Sequence, residues 1–388
     1  MSTLESIPRE LVLEGERVMR LCNACRYCEG FCAVFPAMER RINFTEKDLN
    51  YLANLCHNCT ECYYACQFAP PQVFELNFPK TLAEIRLETY RKYAWPGAFA
   101  ALFRRNGLAT GVVSVAGLFV ILAIMLAGRT PRALLAAHSD AEGAFYAVMS
   151  HQAMVATFAT VALLICGVFA IGFARFWRDT GVSNAQPLVA SDLLQAISDT
   201  LGLKHLDGTD NGCAYPDELP SNTRRVFHHL TFYGFGLCLA ATAVGTVFHY
   251  GLGWEGPPPI PDFARGGAGV VRSLPLLLGS LGGIGLLLGP AGLLWLKSRR
   301  NSLLVDPRQN GMDAGFLVSL MLTSLSGFLL TVFRETPALS ALVVVHLGVV
   351  LGLFVTMPYG KFVHGIYRFG ALLRNAKEQR TMQKLGAE

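Results

Sequence analysis

Charged residues are scarce in this chain. Only 16% of its 388 residues are Asp, Glu, Lys or Arg, whereas 52% are hydrophobic. This balance argues against a wholly soluble protein and favours the membrane class. The net charge of +5 is modest, and the basic residues do not form a long stripe interrupted by aromatics. We therefore expect no nucleic-acid partner.

Two sequence signals are also missing near the N-terminus. The segment MSTLESIPRELVLEGE has no basic start followed by an apolar stretch and no small-residue cleavage site, so we expect residues 1–103 to form a domain in the reducing cytosol. No strand followed by a G-x-G-x-x-G turn precedes the cysteines. This absence argues against a dinucleotide-binding domain before the cysteines.

The cysteines are concentrated at one end of the chain. Eight of the eleven lie between Cys22 and Cys66, and such crowding at regular spacing indicates metal ligation. The segment CNACRYCEGFC begins at Cys22 and has the spacing C-x2-C-x2-C-x3-C, which recurs 34 residues later in CHNCTECYYAC, beginning at Cys56. A structural zinc site would need four ligands in two separated pairs, and neither group has that pattern.

This spacing is typical of proteins that hold two cubane iron–sulfur clusters. Three close thiolates hold one cluster, and the fourth cysteine of each group reaches the other cluster. The predicted ligands are Cys22, Cys25, Cys28 and Cys66 for cluster 1, and Cys32, Cys56, Cys59 and Cys62 for cluster 2. The proline that commonly follows the fourth cysteine is replaced by Ala33 and Gln67, which removes no ligand. Two neighbouring clusters favour a relay for single electrons.

Six apolar runs are long enough to cross a bilayer as helices. They cover residues 108–127, 145–173, 226–250, 274–296, 315–333 and 339–357. The predicted fold is therefore mainly α, with a ferredoxin-type two-cluster domain at 1–103 fused to a six-helix transmembrane bundle at 104–364. Glycines at 279–285 lie inside a span and follow no strand, so they indicate close helix packing and not a nucleotide loop.

Lys and Arg are unevenly distributed among the connections. They are numerous before the first span, in the loop 175–225, after the fourth span and in the tail 365–388. The positive-inside rule then places both termini in the cytosol, with the bundle in the inner membrane. The loop 175–225 is long enough for a docking element, and the alternative is a solvated loop that caps the cluster domain. We expect the basic tail to lie on the lipid surface.

Several histidines lie in or beside the spans, where polar side chains are costly. They sort into an outer layer with His151, His249 and His346 and an inner layer with His228, His229 and His364. Neutral histidines from two helices at one depth can bind a b-type haem, so these six are candidate axial ligands for one or two haems. His346 and His364 would share a helix face if the helix continues past Pro358. Each histidine could instead only bond headgroups or water at the interface.

The two cysteine groups followed by a six-span bundle with histidines resemble the tricarballylate/citrate-utilization protein B family over nearly the whole chain. The resemblance implies that a separate cytosolic FAD-dependent dehydrogenase, acting on tricarballylate, delivers electrons to the clusters. It implies further transfer, with haem, to membrane quinone. A related architecture forms the membrane half of a flavohaem protein of cobalamin synthesis. We assign no quinone-binding or catalytic residues.

Two other functions stay open from the sequence. The chain could be a redox accessory subunit of cofactor (cobalamin) synthesis, which the identity of its flavoprotein partner would distinguish. It could also be a membrane iron–sulfur redox sensor. Six spans exceed what an anchor needs, and only a basic segment follows the last span, so electron transfer to quinone is the favoured interpretation.

Overall fold

The structure is a computed structural model that describes residues 7–137, 144–180, 187–206, 213–254 and 271–385. Part of the predicted loop at 175–225 and most of the connection after residue 250 lie outside the described residues. All of the predicted cluster cysteines and candidate haem histidines lie within them. The cofactor-site predictions can therefore be followed residue by residue.

The N-terminal domain is helical and holds the cysteines in its turns. Its helices are α1 (Arg9–Cys25), α2 (Val34–Glu39), α3 (Glu46–Leu55), α4 (Glu61–Tyr64) and α5 (Phe78–Tyr93). Helix α3 begins with a capping box in which Thr45 and Asp48 satisfy each other's backbone N–H groups, a strong start signal. Its core contains the fully buried Leu49, Leu52 and Tyr90.

The rest of the chain forms the long helices and their connections. After a 3₁₀ segment at Gly97–Arg105 come α6 (Asn106–Gly128), α7 (Pro131–Leu135), α8 (Ala144–Val148), α9 (His151–Asp179), α10 (Ala190–Leu201), the antiparallel pair β1 (Cys213–Ala214) and β2 (Pro220–Ser221), α11 (Thr223–Leu252), α12 (Leu274–Arg299), α13 (Asn310–Val332), α14 (Leu339–Thr356) and α15 (Val363–Leu385). Short 3₁₀ turns lie at Lys204–Leu206, Ser302–Leu304, Pro307–Gln309 and Met357–Tyr359.

Six helices are long and apolar enough to cross a membrane. They are α6, α9, α11, α12, α13 and α14, the last two with their 3₁₀ extensions, and each matches one predicted apolar run. This result confirms the predicted helical bundle. Several helices continue past the apolar run into polar residues, as α9 does to Asp179, because hydropathy marks the lipid-facing part of a helix and not its hydrogen-bonded end.

Glycines allow α11 and α12 to approach closely. A Cβ on Gly282 would lie 2.7 Å from the carbonyl oxygen of Gly234, and one on Gly285 would lie 2.7 Å from that of Leu230. Small residues at such crossings let membrane helices pack backbone against backbone. The interpretation of the 279–285 glycines as packing residues is therefore confirmed.

The end of the chain differs from two expectations. Helix α14 ends at Thr356, and α15 begins only at Val363 after a 3₁₀ turn, so His346 and His364 do not share one continuous helix, because Pro358 interrupts it. Helix α15 packs on α3, α9 and α10, with Ala371 and Leu372 buried. The expectation that the tail lies on the lipid surface is therefore wrong, because its apolar face is covered by protein.

Candidate electron-transfer site

The first cysteine group begins in the last turn of α1. Cys22 and Cys25 precede Arg26, which ends the helix with φ 57° in the left-handed region. Burial, together with the thiols of Cys66 and Cys25, raises the pKa of Cys28 to about 12. Burial and the thiols of Cys66, Cys28 and Cys25 raise the pKa of Cys22 further. The structure thus brings all four residues of the first predicted set together, including Cys66 from the second group.

The second predicted set is also assembled across the two groups. Burial and the neighbouring thiol of Cys56 raise the pKa of Cys32 to about 12. Burial, followed by Cys32 and Cys56, raises the pKa of Cys62 well above its usual value. The thiol of Cys213, followed by burial and the thiols of Cys32 and Cys62, raises the pKa of Cys59 well above its usual value. The fourth cysteine of each group therefore reaches the other set, as the spacing predicts.

The cysteine sets fit cubane clusters by their donor chemistry. Four thiolates held together repel one another unless cations lie among them, and the irons of a cubane meet this need. Among the described residues, no three or more His, Cys, Asp or Glu side chains could together hold a single metal ion. A cubane spaces its thiolates by the width of the whole cluster. Backbone N–H groups also point at the sulfurs, with Asn58 N donating to Cys56 Sγ at 3.4 Å.

The two sets differ in their distance from the surface. In the first set Cys25 is exposed and the other three cysteines are partly exposed, whereas in the second set Cys56 and Cys59 are buried and only Cys32 and Cys62 are partly exposed. The pocket of the second set is closed by Phe31, Phe35 and Phe78. The first set is therefore the accessible one, and the second lies deeper, toward the bundle.

The loop between α9 and α11 covers the second set. The Thr60 hydroxyl donates to the carbonyl oxygen of Ala214 on β1, and Cys213 is fully buried beside Cys59. The imidazoles of His57 and His205 have ring centroids 5.4 Å apart. The described part of this loop thus contacts the second cysteine group through His205, Cys213 and Ala214.

A cavity of about 440 Å³ lies between the cluster domain and the adjacent ends of the long helices. His57 and Asn58 line both this cavity and the pocket of the second cysteine set. The wall of the larger cavity combines apolar and cationic side chains, among them Phe232, Phe235, Phe316, Phe362, Arg86, Arg224, Lys361 and Arg368. Such a lining suits a ligand with an apolar body and anionic groups.

Two candidate histidines face each other in this cavity. The ring centroids of His228 on α11 and His364 on α15 are 6.0 Å apart. With metal–imidazole bonds of about 2 Å, imidazoles on opposite sides of one metal ion have ring centres about 6 Å apart. The Nδ1–H of His364 donates to the carbonyl oxygen of Lys361 at 2.6 Å, which directs Nε2 to a metal. Burial and then the charges of Arg368 and Lys361 keep the pKa of His364 well below its usual range, so the ring is neutral.

The other candidate histidines are arranged differently. His151 and His249 meet at the far end of the bundle, but their ring centroids are only 4.2 Å apart, too close for an iron between them. His229 contacts Tyr233, and His346 Nδ1 lies 3.0 Å from Ser326 Oγ. Neither of these two has a ring contact with another histidine among the described residues. The geometry thus distinguishes the pair His228 and His364 from the other four.

The sequence reasoning missed the charged groups that surround the cavity. Asp313 on α13 forms ion pairs with Lys297 and Lys361, the second at 2.8 Å. Arg224 and Arg368 donate to carbonyl oxygens in the loop of the second cysteine set. One signal was available, because each arginine lies four residues from a candidate histidine, which places the two on one helix face.

Comparisons with known proteins agree with this architecture. The family model "Citrate utilization protein B" matches residues 102–384, and the model "Citrate utilization protein B Fer4-like domain" matches residues 15–100. The curated Citrate utilization protein B of Escherichia coli is 48% identical over 376 residues, which cover 96% of this chain and 94% of that protein. No solved structure matches the chain.

These matches confirm the resemblance and the fold class predicted from the sequence. The Fer4-like domain coincides with the cysteine region, which indicates an iron–sulfur electron-transfer role, and the six apolar helices indicate a membrane protein. Since the two models and the relative together account for nearly the whole length, the chain belongs to the citrate utilization protein B family.

Proposed function

We propose that this chain is an inner-membrane electron-transfer protein that takes electrons from a separate cytosolic flavin-dependent dehydrogenase. It passes them through two [4Fe-4S] clusters and one b-type haem to membrane quinone. One observation carries the proposal: His57 and Asn58 form a wall between the pocket of the second cysteine set and the cavity that contains His228 and His364. Two redox sites on opposite sides of one residue layer form a relay.

The path begins at the accessible cysteine set. Cluster 1 would be held by Cys22, Cys25, Cys28 and Cys66, where the exposed Cys25 lies closest to a docked partner. Cluster 2 would be held by Cys32, Cys56, Cys59 and Cys62. Cys28 and Cys62 interact across the two sets, so the clusters would be neighbours and one electron at a time could pass inward.

The haem would be held by His228 and His364. It supplies a one-electron site between the clusters and the two-electron acceptor. Phe232, Phe235, Phe316 and Phe362 give the cavity apolar walls suited to a porphyrin ring, and the nearby Arg and Lys side chains suit its carboxylates. The pair His151 and His249 would have to separate by about 2 Å to bind iron in the same way, so we expect one haem.

The identity of the electron donor is inferred from the family resemblance. The relative is named for citrate utilization, and the resemblance implies a flavin-dependent tricarballylate dehydrogenase as partner. Because the chain then acts as the membrane half of a dehydrogenase, quinone reductase activity belongs to the complex. An accessory role in cobalamin synthesis would be indicated instead if a flavoprotein of that pathway co-purifies.

The first test is anaerobic purification in detergent, followed by iron, acid-labile sulfide and pyridine-haemochrome assays. We expect about eight sulfides, about nine irons and about one haem per chain, as two cubanes and one haem require. A C59S variant should lose about half of the sulfide. The chemically reduced wild-type protein should then be reoxidised by a water-soluble quinone.

Other outcomes would change the proposal in defined ways. A protein with its full cluster content that quinone cannot reoxidise would contradict the role in quinone reduction. Clusters without haem would require direct transfer from cluster 2 to quinone. About two haems per chain would show that His151 and His249 open to bind a second one.

A further inference from the structure

Two arginines connect the candidate haem ligands to the loop of cluster 2. Arg224 on α11 donates from Nη1 to Asn58 O at 2.8 Å and from Nη2 to His57 O at 3.0 Å. Arg368 on α15 donates from Nη2 to Cys56 O at 2.8 Å and from Nε to Asn54 O at 3.3 Å. Four charge-assisted bonds therefore hold residues 54–58, the segment that carries Cys56.

Each arginine is one helical turn away from a candidate haem ligand. Arg224 precedes His228 by four residues on α11, and Arg368 follows His364 by four residues on α15. Side chains at this spacing share a helix face. The same two helices thus present an imidazole to the cavity and a guanidinium to the cluster loop.

The charge of both groups is also suited to this position. A guanidinium remains protonated at neutral pH even when buried, and Arg224 is held in place by its stacking on Tyr215, 4.6 Å from the ring centroid. Reduction adds a negative charge to an iron–sulfur cluster, so nearby positive charge favours the reduced state and raises the potential.

We propose that Arg224 and Arg368 are positioning residues that fix cluster 2 against the pair His228 and His364 and raise the potential of that cluster. This inference rests on the proposed function. In the proposed relay, the cluster that Cys32, Cys56, Cys59 and Cys62 would hold would give up one electron, and the haem that His228 and His364 would hold would accept it. No bond is formed or broken.

The test uses the full-length protein in detergent with four variants. R224K and R368K keep the charge but lose the paired hydrogen bonds, whereas R224Q and R368Q lose the charge as well. The matched control is R225Q, because Arg225 is the next residue on α11 and also donates twice to a backbone carbonyl, that of Gly202. Haem and sulfide assays first establish that each variant is loaded.

Two readouts separate positioning from a merely structural role. An EPR-monitored redox titration gives the potential of cluster 2, and stopped-flow absorbance gives the rate of haem reduction after mixing with a low-potential donor. We expect both Gln variants to lower the cluster potential, the Lys variants to keep it, and all four to slow haem reduction by about tenfold or more, as outer-shell changes do. R225Q should match the wild type in both.

Wild-type potential and rate in loaded Gln variants would overturn the proposal. If a Gln variant loses cluster 2, the loaded Lys variants decide, and an unchanged rate in them would also overturn it. A wild-type protein without haem would contradict the proposed function instead, and the effect of the arginines would still be read from the cluster potential.

Discussion

At the scale of single residues, consecutive histidines on α11 have different surroundings. His228 faces His364 across the cavity, whereas His229 lies against Tyr233 with ring centroids 5.5 Å apart. On a helix, neighbouring residues point about 100° apart, so two adjacent imidazoles cannot both reach one site. His229 is therefore a matched control for haem ligation by His228.

We expect H228A and H364A each to abolish the haem signal while the two clusters remain. The reason is that each variant would remove one of the two imidazoles proposed to hold the haem. Pyridine-haemochrome absorbance relative to acid-labile sulfide measures the effect. H229A should keep the full haem content, and haem retained at wild-type level in both H228A and H364A would contradict the assignment of this pair.

At the scale of elements, α15 is attached to the cluster domain by a group of charges. Glu378 lies 2.6 Å from Arg41, 3.1 Å from Arg40 and 2.8 Å from Arg374. Burial raises the pKa of Glu378, but the charges of Arg41 and Arg374 outweigh it and hold the pKa below its usual value. The carboxylate therefore stabilises the folded protein when ionised.

We expect E378Q to lower the free energy of unfolding at pH 7 by about 1–3 kcal/mol, because partly buried arginines lose a charged partner. Since the folded pKa is depressed, this contribution is complete above the unfolded value of about 4.3 and declines as the pH falls toward the folded value. Denaturant unfolding in detergent at pH 7 and near pH 4 measures both effects.

The control for this prediction is E16Q. Glu16 on α1 pairs with Arg20, whose side chain is 62% exposed, and an ion pair with such an exposed partner contributes at most about 1 kcal/mol. An E378Q protein as stable as E16Q at pH 7 would show that the charge group does not hold α15.

At the scale of the whole molecule, the hydrophobic core of the cluster domain continues into the last helix. Tyr90 on α5 stacks on Tyr367 of α15 at 5.9 Å, and Tyr93 meets Phe176 of α9 at 5.6 Å. Val363, Ala371 and Leu372 belong to the same buried cluster as Leu49 and Leu52. The first and last parts of the chain thus share one hydrophobic core.

We expect residues 1–103 expressed alone to hold less than about half of the iron that they hold when residues 363–385 are fused behind a flexible linker. Without α15, the apolar surface of the domain that Val363, Ala371 and Leu372 cover would be exposed to water. Iron and sulfide per chain after anaerobic reconstitution give the comparison. The same fusion with Y367D controls for added length, and equal iron in all three proteins would show that the domain folds independently.

Local patterns in the sequence were enough to predict the cysteine groups and the membrane spans. The interval of the cysteines reports the wrapping of a chain around one cluster, and a run of apolar residues reports the thickness of a bilayer. Both are properties of a few consecutive residues. The cysteine groups, the six helices and the packing role of the 279–285 glycines could therefore be read before any tertiary contact was known.

Only the tertiary structure decided which distant residues meet. His228 and His364 are 136 positions apart, and Arg368 bonds a carbonyl at Cys56, so no periodicity in the sequence connects them. The basic residues of the tail predict a helix on the lipid surface, and only the structure shows that residues such as Ala371 and Leu372 are buried against protein. By itself the sequence determined the two cysteine groups and the six apolar helices, and long-range packing determined which of their residues meet.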